Sequence, residues 1–283
     1  MKKGLFISDI HCGSIFGLLP PDFTLYDGSY KGLNPGQAYL WDCWAHLCQQ
    51  AGLFKPDFVV ANGDLVDGPQ RKNQGAELCL GSPKDQSKAA VECLKLLQQY
   101  CPGASWYFTQ GTPYHVGEWN DAEETIACEL GGQTYHSVGV GGRCREILWL
   151  SVEGVIIEAA HHIGVSQGFY RSTALDREMQ WSAMTGKDPG KGVPRADLIV
   201  RSHVHYYNQV GHASKLGFTT PCFQLQTRYM RKHSTSRMLP DIGGVFVQID
   251  GSAKLEGKPP VTITPEIYRL PPLEVSTLRT ELE

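Results

Sequence analysis

Four short apolar runs in this chain break off into an acid or a histidine, and that repetition constrains the fold more than any other feature. FISDIH ends with Asp9 and His11, FVVANGD with Asp64, VIIEAAHH with His161 and His162, and LIVRSHVH with His203 and His205. Runs of this length, rich in Val, Ile and Phe, read as buried strands. Along an extended segment residues i and i+2 share a face, so Asp9 and His11 are expected to point the same way. In an open α/β sheet ligands gather at the carboxyl ends of strands, so residues far apart in sequence can converge there. Six of the ten histidines, counting His115, lie in four short segments that each follow an apolar run, and Asp64 ends a fifth. Carboxylates mixed with imidazoles suit Mn, Fe, Zn and similar divalent ions, and this many donors hold two ions better than one.

The remaining pattern is that of an α/β chain. Lys3 to Ser8 forms the first strand, and Leu40, Trp44, Leu47 and Cys48 keep helical spacing within an expected helix from Gly36 to Gln50. Ser82 and Pro83, with Asp85 in the first turn, open a second helix whose Ala90, Leu94 and Leu97 share a face. SWYFTQG reads as a strand and turn, and Asp121 to Leu130 as a helix stopped by Gly131 and Gly132. Thereafter CREILWLSV, VIIEAAHH, ADLIVRSH, FTTPCFQLQ, GVFVQID and PVTITPEIY read as strands, with one helix around Ser172 to Ala183. No repeat or linker divides the chain, so residues 1–283 are expected to form a single domain with two packed sheets and a loosely packed tail after about residue 270. The stretch from Ile15 to Pro35 is long enough to be a site-lining insertion.

Bulk properties exclude several classes. The formal net charge is -3 and the pI about 6.4, so no global basic field draws the protein to nucleic acid or anionic lipid. No apolar stretch approaches the roughly 20 residues of a membrane helix. The start MKKGLFISDI resembles a first strand rather than a signal peptide. Nine cysteines without a CxxC pair fit reduced thiols filling the core of a cytoplasmic protein.

DIH, GDLVDG, HH before glycine, and SHVH, in that order, resemble the motifs of the calcineurin-like metallophosphoesterases: DxH, GDxxD, GNH(D/E), a lone H, and GHxH. The resemblance runs from Asp9 to His205. It implies a four-layer αββα sandwich of two mixed β-sheets flanked by helices, with a dinuclear metal centre that hydrolyses phosphomonoesters or phosphodiesters. Asp9, His11 and His205 would hold one ion, His161 and His203 the other, and Asp64 would bridge both. Manganese is the ion the resemblance favours, with Fe, Zn and Ni as the other candidates. The sequence departs from the pattern in QGTPYHVGE: Gly111 is present, Thr112 replaces the asparagine ligand, and the histidine is delayed to His115. Thr112 is therefore the candidate donor at that position, and His115 the candidate catalytic histidine, with Glu118 placed to orient it. A noncatalytic scaffold that keeps the sandwich and binds protein is the alternative, and the altered GTPYH segment is what gives it weight.

Taken singly, each histidine is as well explained as a structural residue; taken jointly, acids and histidines at successive strand ends are not. His162 is expected to be the structural member of its pair, and Asp67 and Asn62 to support the turns. His46, His136 and His212 are read as structural, and Cys12 as facing away from His11. SVGVGGR and MTGKDPGKG match no phosphate-binding loop and read as turns. TRYMRKHSTSR, residues 227–237, reads first as a solvated face; it could instead steer a phosphodiester, which makes nucleic acid one candidate substrate. Arg171 and Tyr206 are weaker candidates for substrate contact. Nothing in the sequence speaks to an oligomeric state.

Overall fold

The computed structural model describes residues 1–116, 121–137, 140–164, 170–188, 190–212, 215–233 and 239–271. In chain order its main elements are β1 (Lys2–Ile7), α1 (Pro35–Phe54), β2 (Phe58–Asn62), α2 (Pro83–Tyr100), β3 (Ser105–Thr109), α3 (Asp121–Glu129), β4 (Cys144–Arg145), β5 (Ile147–Val152), β6 (Val155–Ala160), α4 (Thr173–Thr185), β7 (Leu198–Arg201), β8 (Asn208–His212), β9 (Lys215–Thr219), β10 (Ile242–Ile249) and β11 (Val261–Tyr268). Helix starts follow local chemistry. Asn34 and Gln37 form a reciprocal capping box ahead of α1, with Pro35 in its first turn. Gly131, at φ +67, ends α3 and lets the Gly132 amide donate back to the Ala127 carbonyl.

The strands form two mixed sheets, ordered β11-β10-β1-β2-β3-β4 and β8-β9-β7-β6-β5. In the first, β1, β2, β3 and β4 run parallel, and β10 and β11 are antiparallel additions. In the second, β6, β7 and β9 run parallel, with β5 and β8 antiparallel at the edges.

Alternation along the strands separates three apolar layers. Leu5, Ile7, Val59 and Ala61 face the helices and pack with Trp44, Leu47, Leu94 and Ile126. Phe6, Phe58 and Val60 face the other way, into a layer shared with Ile157, Leu198, Val200 and Phe218 of the second sheet. Ile199 packs on Leu175 and Met179 of α4. Helices, sheet, sheet, helix: this is the four-layer αββα sandwich. Phe6 sits edge-on to both Phe58 and Phe218 between the sheets. A fully buried phenylalanine of this kind contributes about 1.5–3 kcal/mol.

Two sequence expectations change. FTTPCFQLQ is not one strand: β9 ends at Thr219, and Cys222 makes only an isolated bridge to Ile242. The segment is apolar because it is buried under the strand ends as irregular backbone, where the Phe223 amide donates to the Asp9 carbonyl. Strand β8 was not expected, because an exposed edge strand carries little apolar signal. The stretch from Ile15 to Pro35 contains a short hairpin, Phe23–Thr24 with Tyr30–Lys31, and buries Leu18, Leu19 and Phe23.

Candidate metal centre

All the parallel strands of both sheets end along one edge of the sandwich, and beneath that edge lies a buried polar layer. The Asn62 side chain donates to the Ala160 carbonyl and to Ser202 Oγ, and accepts from Thr109 Oγ1. Ser8 and Ser202 hydroxyls each meet Thr220 Oγ1, at 2.6 and 2.7 Å. These five side chains are fully buried. Mutually satisfied polar groups fix the position of the sheets relative to one another where unpaired ones would be costly.

The residues above this layer leave their strands through left-handed turns. Asp9, His11, Asp64, His203 and His205 all have φ between +44 and +72. The expected pleat alternation therefore does not align Asp9 with His11; β1 stops at Ile7, and two left-handed residues turn both side chains inward. Such backbone costs of order 1–3 kcal/mol per residue, and its clustering marks a functional site.

The side chains meet. Asp9 Oδ1 lies 3.2 Å from His205 Nε2 and 3.8 Å from both His11 Nε2 and His161 Nε2. Asp64 Oδ2 lies 3.0 Å from His161 Nε2 and 4.0 Å from His115 Nε2. Donor atoms of Asp9, His11 and His205 lie within 4.8 Å of one another, and so do those of Asp64, His161 and His203. A third such group is His11, Asp64 and His115. Asp9 Oδ1 and His161 Nε2 are buried without a hydrogen-bond partner, the 3.0 Å approach to Asp64 lacking hydrogen-bond geometry. Buried polar atoms are rarely left so, and atoms of metal-ligand type converging on a common point are what a cation satisfies. The donor set fits divalent metal ions.

The layered order, with acids and imidazoles assembled at parallel strand ends of both sheets, decides the architecture. The chain folds as the four-layer αββα sandwich expected from its sequence. No family model and no curated protein matches the sequence. Among solved structures it is similar to a novel archaeal phosphodiesterase at 8% identity, covering 94% of this chain and 99% of the other with a TM-score of 0.44. Wild-type Vps29 complexed with zinc, from Entamoeba histolytica, matches at 10% identity over 94% and 98% of the two chains, TM-score 0.40. A predicted phosphoesterase from Streptococcus pneumoniae matches at 14% over 88% and 83%, TM-score 0.36.

Electrostatics of this site follow from burial working against charge pairing. Burial disfavours the imidazolium of His11, but the Asp67 and Asp9 carboxylates outweigh it and push its pKa up to about 10. Burial likewise opposes His161, and Asp64 and Asp9 raise it to about 10. His203 goes the other way, down to about 4, through burial and the charge of His161. Burial would raise the Asp9 and Asp64 carboxyls, yet their imidazole neighbours hold both below the usual carboxylate range.

Thr112 donates from its amide (2.7 Å) and its hydroxyl (3.1 Å) to the Asp64 carboxylate. Gly111 is required beside it, since a Cβ there would lie 2.2 Å from Asp64 Oδ1. His115 Nδ1 donates to the Asp67 carbonyl at 2.8 Å, which leaves Nε2 facing Asp64. Gly68, at φ +70, permits this approach; a Cβ would meet the His115 carbonyl at 2.0 Å. Glu118, expected to orient His115, lies outside the described residues. His161 is buried at the centre, whereas His162 is exposed beside the His203 ring. Asp67 does more than support a turn: it accepts from His11 Nδ1, Gln70 Nε2 and Gln224 Nε2. His46 meets Tyr268 and His212 meets Asp176, both away from the centre; the His136 side chain lies outside the described set. Arg171 stacks on Tyr206 at 4.6 Å.

Sequence reasoning missed Glu123. Fully buried on α3, it accepts from the Leu65 amide with one oxygen and the Gly111 amide with the other, tying the Asp64 turn to the Thr112 turn. Burial and the nearby Asp64 raise its pKa to about 7. Helical spacing carries no sign of this role. Glu123→Ala is expected to strand both buried amides and cost about 2–5 kcal/mol, read by urea denaturation of the metal-free chain. A change below about 0.5 kcal/mol would mean the turns hold themselves.

Proposed function

We propose that the chain is a metal-dependent phosphoesterase. One observation carries this reading: Asp9 Oδ1 and His161 Nε2 lie buried and unpartnered between two groups of metal-type donors. Asp9, His11 and His205 would hold one divalent ion, His161 and His203 a second, and Asp64 both, since an ionised carboxylate offers two oxygens. When bound, such a pair of cations lowers the pKa of water and neutralises charge on the phosphate oxygens. Manganese is the first ion to supply, with Fe, Zn and Ni as comparisons.

The chain's own residues then do the positioning. Thr112 fixes the Asp64 carboxylate through two donors, acting on the ligand where the asparagine pattern would supply one. Asp67 fixes the ring of His11. His115, tethered through Nδ1, presents Nε2 at the mouth, 20% exposed, where it takes a proton from solvent and delivers it to the leaving oxygen. The test is bound-metal analysis together with hydrolysis of aryl phosphate monoesters and diesters in added manganese. Metal retention without turnover of either ester would favour the protein-binding scaffold.

His115→Ala refines the reading. A general acid matters most for poor leaving groups, so turnover of alkyl esters should fall about a hundredfold while aryl esters change little. Equal rates on alkyl esters would remove His115 from catalysis.

A further inference from the structure

We infer that the His115 side of the centre carries a binding rim for single-stranded nucleic acid, an assignment of substrate class that rests on the phosphoesterase reading. Two segments distant in sequence build it, and both are rooted on Asp67. Gln70 donates to one Asp67 oxygen at 2.5 Å, and Gln224 to the other at 3.2 Å. Immediately after Gln70 come Arg71 and Lys72; shortly after Gln224 comes the short helix Arg228–His233 with Arg231 and Lys232. Arg228 is spoken for, lying 3.7 Å from the buried Glu77. That approach also joins the two segments, because the Glu77 amide donates to the Gln70 side chain. Arg71, Lys72, Arg231 and Lys232 are all exposed, and none enters an ion pair among the described residues.

These cations reach back to the centre through aromatic rings. Lys72 Nζ lies 5.6 Å from the Tyr114 ring centre, and Tyr114 packs edge-on to His115 at 5.0 Å. Arg231 covers Phe16 at 5.4 Å, and the Phe16 carbonyl accepts from the Leu225 amide beside Gln224. Tyr114 and Tyr229 remain 37% and 61% exposed. Cations with no ion pair among the described residues, interleaved with exposed rings in a protein of net charge -3, make a local anion site with faces for bases. Phosphates bind such cations whatever the sequence, and unstacked bases settle on such rings, which a paired duplex does not offer.

The test measures anisotropy of a short fluorescein-labelled oligothymidylate with the full chain in chelator, so that binding is read without hydrolysis. The parent should bind with an affinity that falls as salt rises. The R71A/K72A/R231A/K232A variant should weaken binding at least tenfold and flatten the log–log salt slope by about 0.7 for each phosphate that is no longer neutralised. Tyr229→Ala should weaken it about fivefold or more at unchanged slope. Aryl phosphate turnover by both variants should equal the parent's, which also shows that they fold. Absence of parent binding, unchanged binding by the four-residue variant, or equal affinity for duplex or heparin would overturn the rim. Failure of the parent to hydrolyse any aryl ester would overturn the phosphoesterase reading alone, since the binding measurement stands without it.

Discussion

Asp64→Asn should lower aryl phosphate turnover about a thousandfold or more and strip retained metal, while the chain stays folded. Among the described residues, Asp64 is the one acid shared by two of the donor groups around His11, His115, His161 and His203. It accepts two donors from Thr112 and faces His161 Nε2 at 3.0 Å. Asparagine keeps the shape and one acceptor, so the Thr112 turn can close on it. It loses the charge and the second oxygen, and turns an N–H₂ toward donors. One neutral oxygen cannot serve both halves of the site. Folding should survive because the turn is independently held by Glu123 through the Leu65 and Gly111 amides. Turnover and metal content equal to the parent's would mean that the activity belongs to another protein or another site.

Much of this arrangement was legible in the sequence, for a physical reason. Buried parallel strands must be apolar, and side chains at their ends can converge, so each apolar run closing on an acid or histidine announced both a strand and a member of the buried cluster. Asp9, His11, Asp64, His161, His203 and His205 were reached that way. What was hidden is how the chain delivers them. Left-handed backbone at five of these six positions leaves no mark in alternation, and glycine, the usual sign of such a turn, is absent from them. Ser8, Ser202 and Thr220 look like ordinary strand-end residues, yet they join the two sheets directly below the clustered acids and imidazoles. Gln224 and Glu123 act across long sequence separations, so only the fold brings them to Asp67, Leu65 and Gly111, while Gln70 reaches Asp67 through a local turn that carries no apolar signal.

The same concealed geometry makes the site a proton reservoir, and the second large effect is its pH dependence. His11 and His161, each pushed up to about 10 from 6.5, carry protons at neutral pH in the metal-free chain. A ring must be neutral to accept a cation, so both protons have to leave when metal binds. Affinity for manganese should therefore rise up to about a hundredfold per pH unit between pH 6.5 and 8, with up to two protons released in calorimetry across buffers of different ionisation enthalpy. Stability of the metal-free chain runs the opposite way. Because the folded pKa values are raised, the stabilising contribution of these rings is fully present below pH 6.5 and is lost as pH rises toward 10. The slope is about 1.4 kcal/mol per pH unit for each ring. Denaturation in chelator should show stability falling across pH 7 to 8. With saturating metal the neutral rings are ligands, and that fall should vanish or reverse. Metal binding that is independent of pH, with no proton release, would show that His11 and His161 do not hold the cation and that the buried donors converge for another purpose.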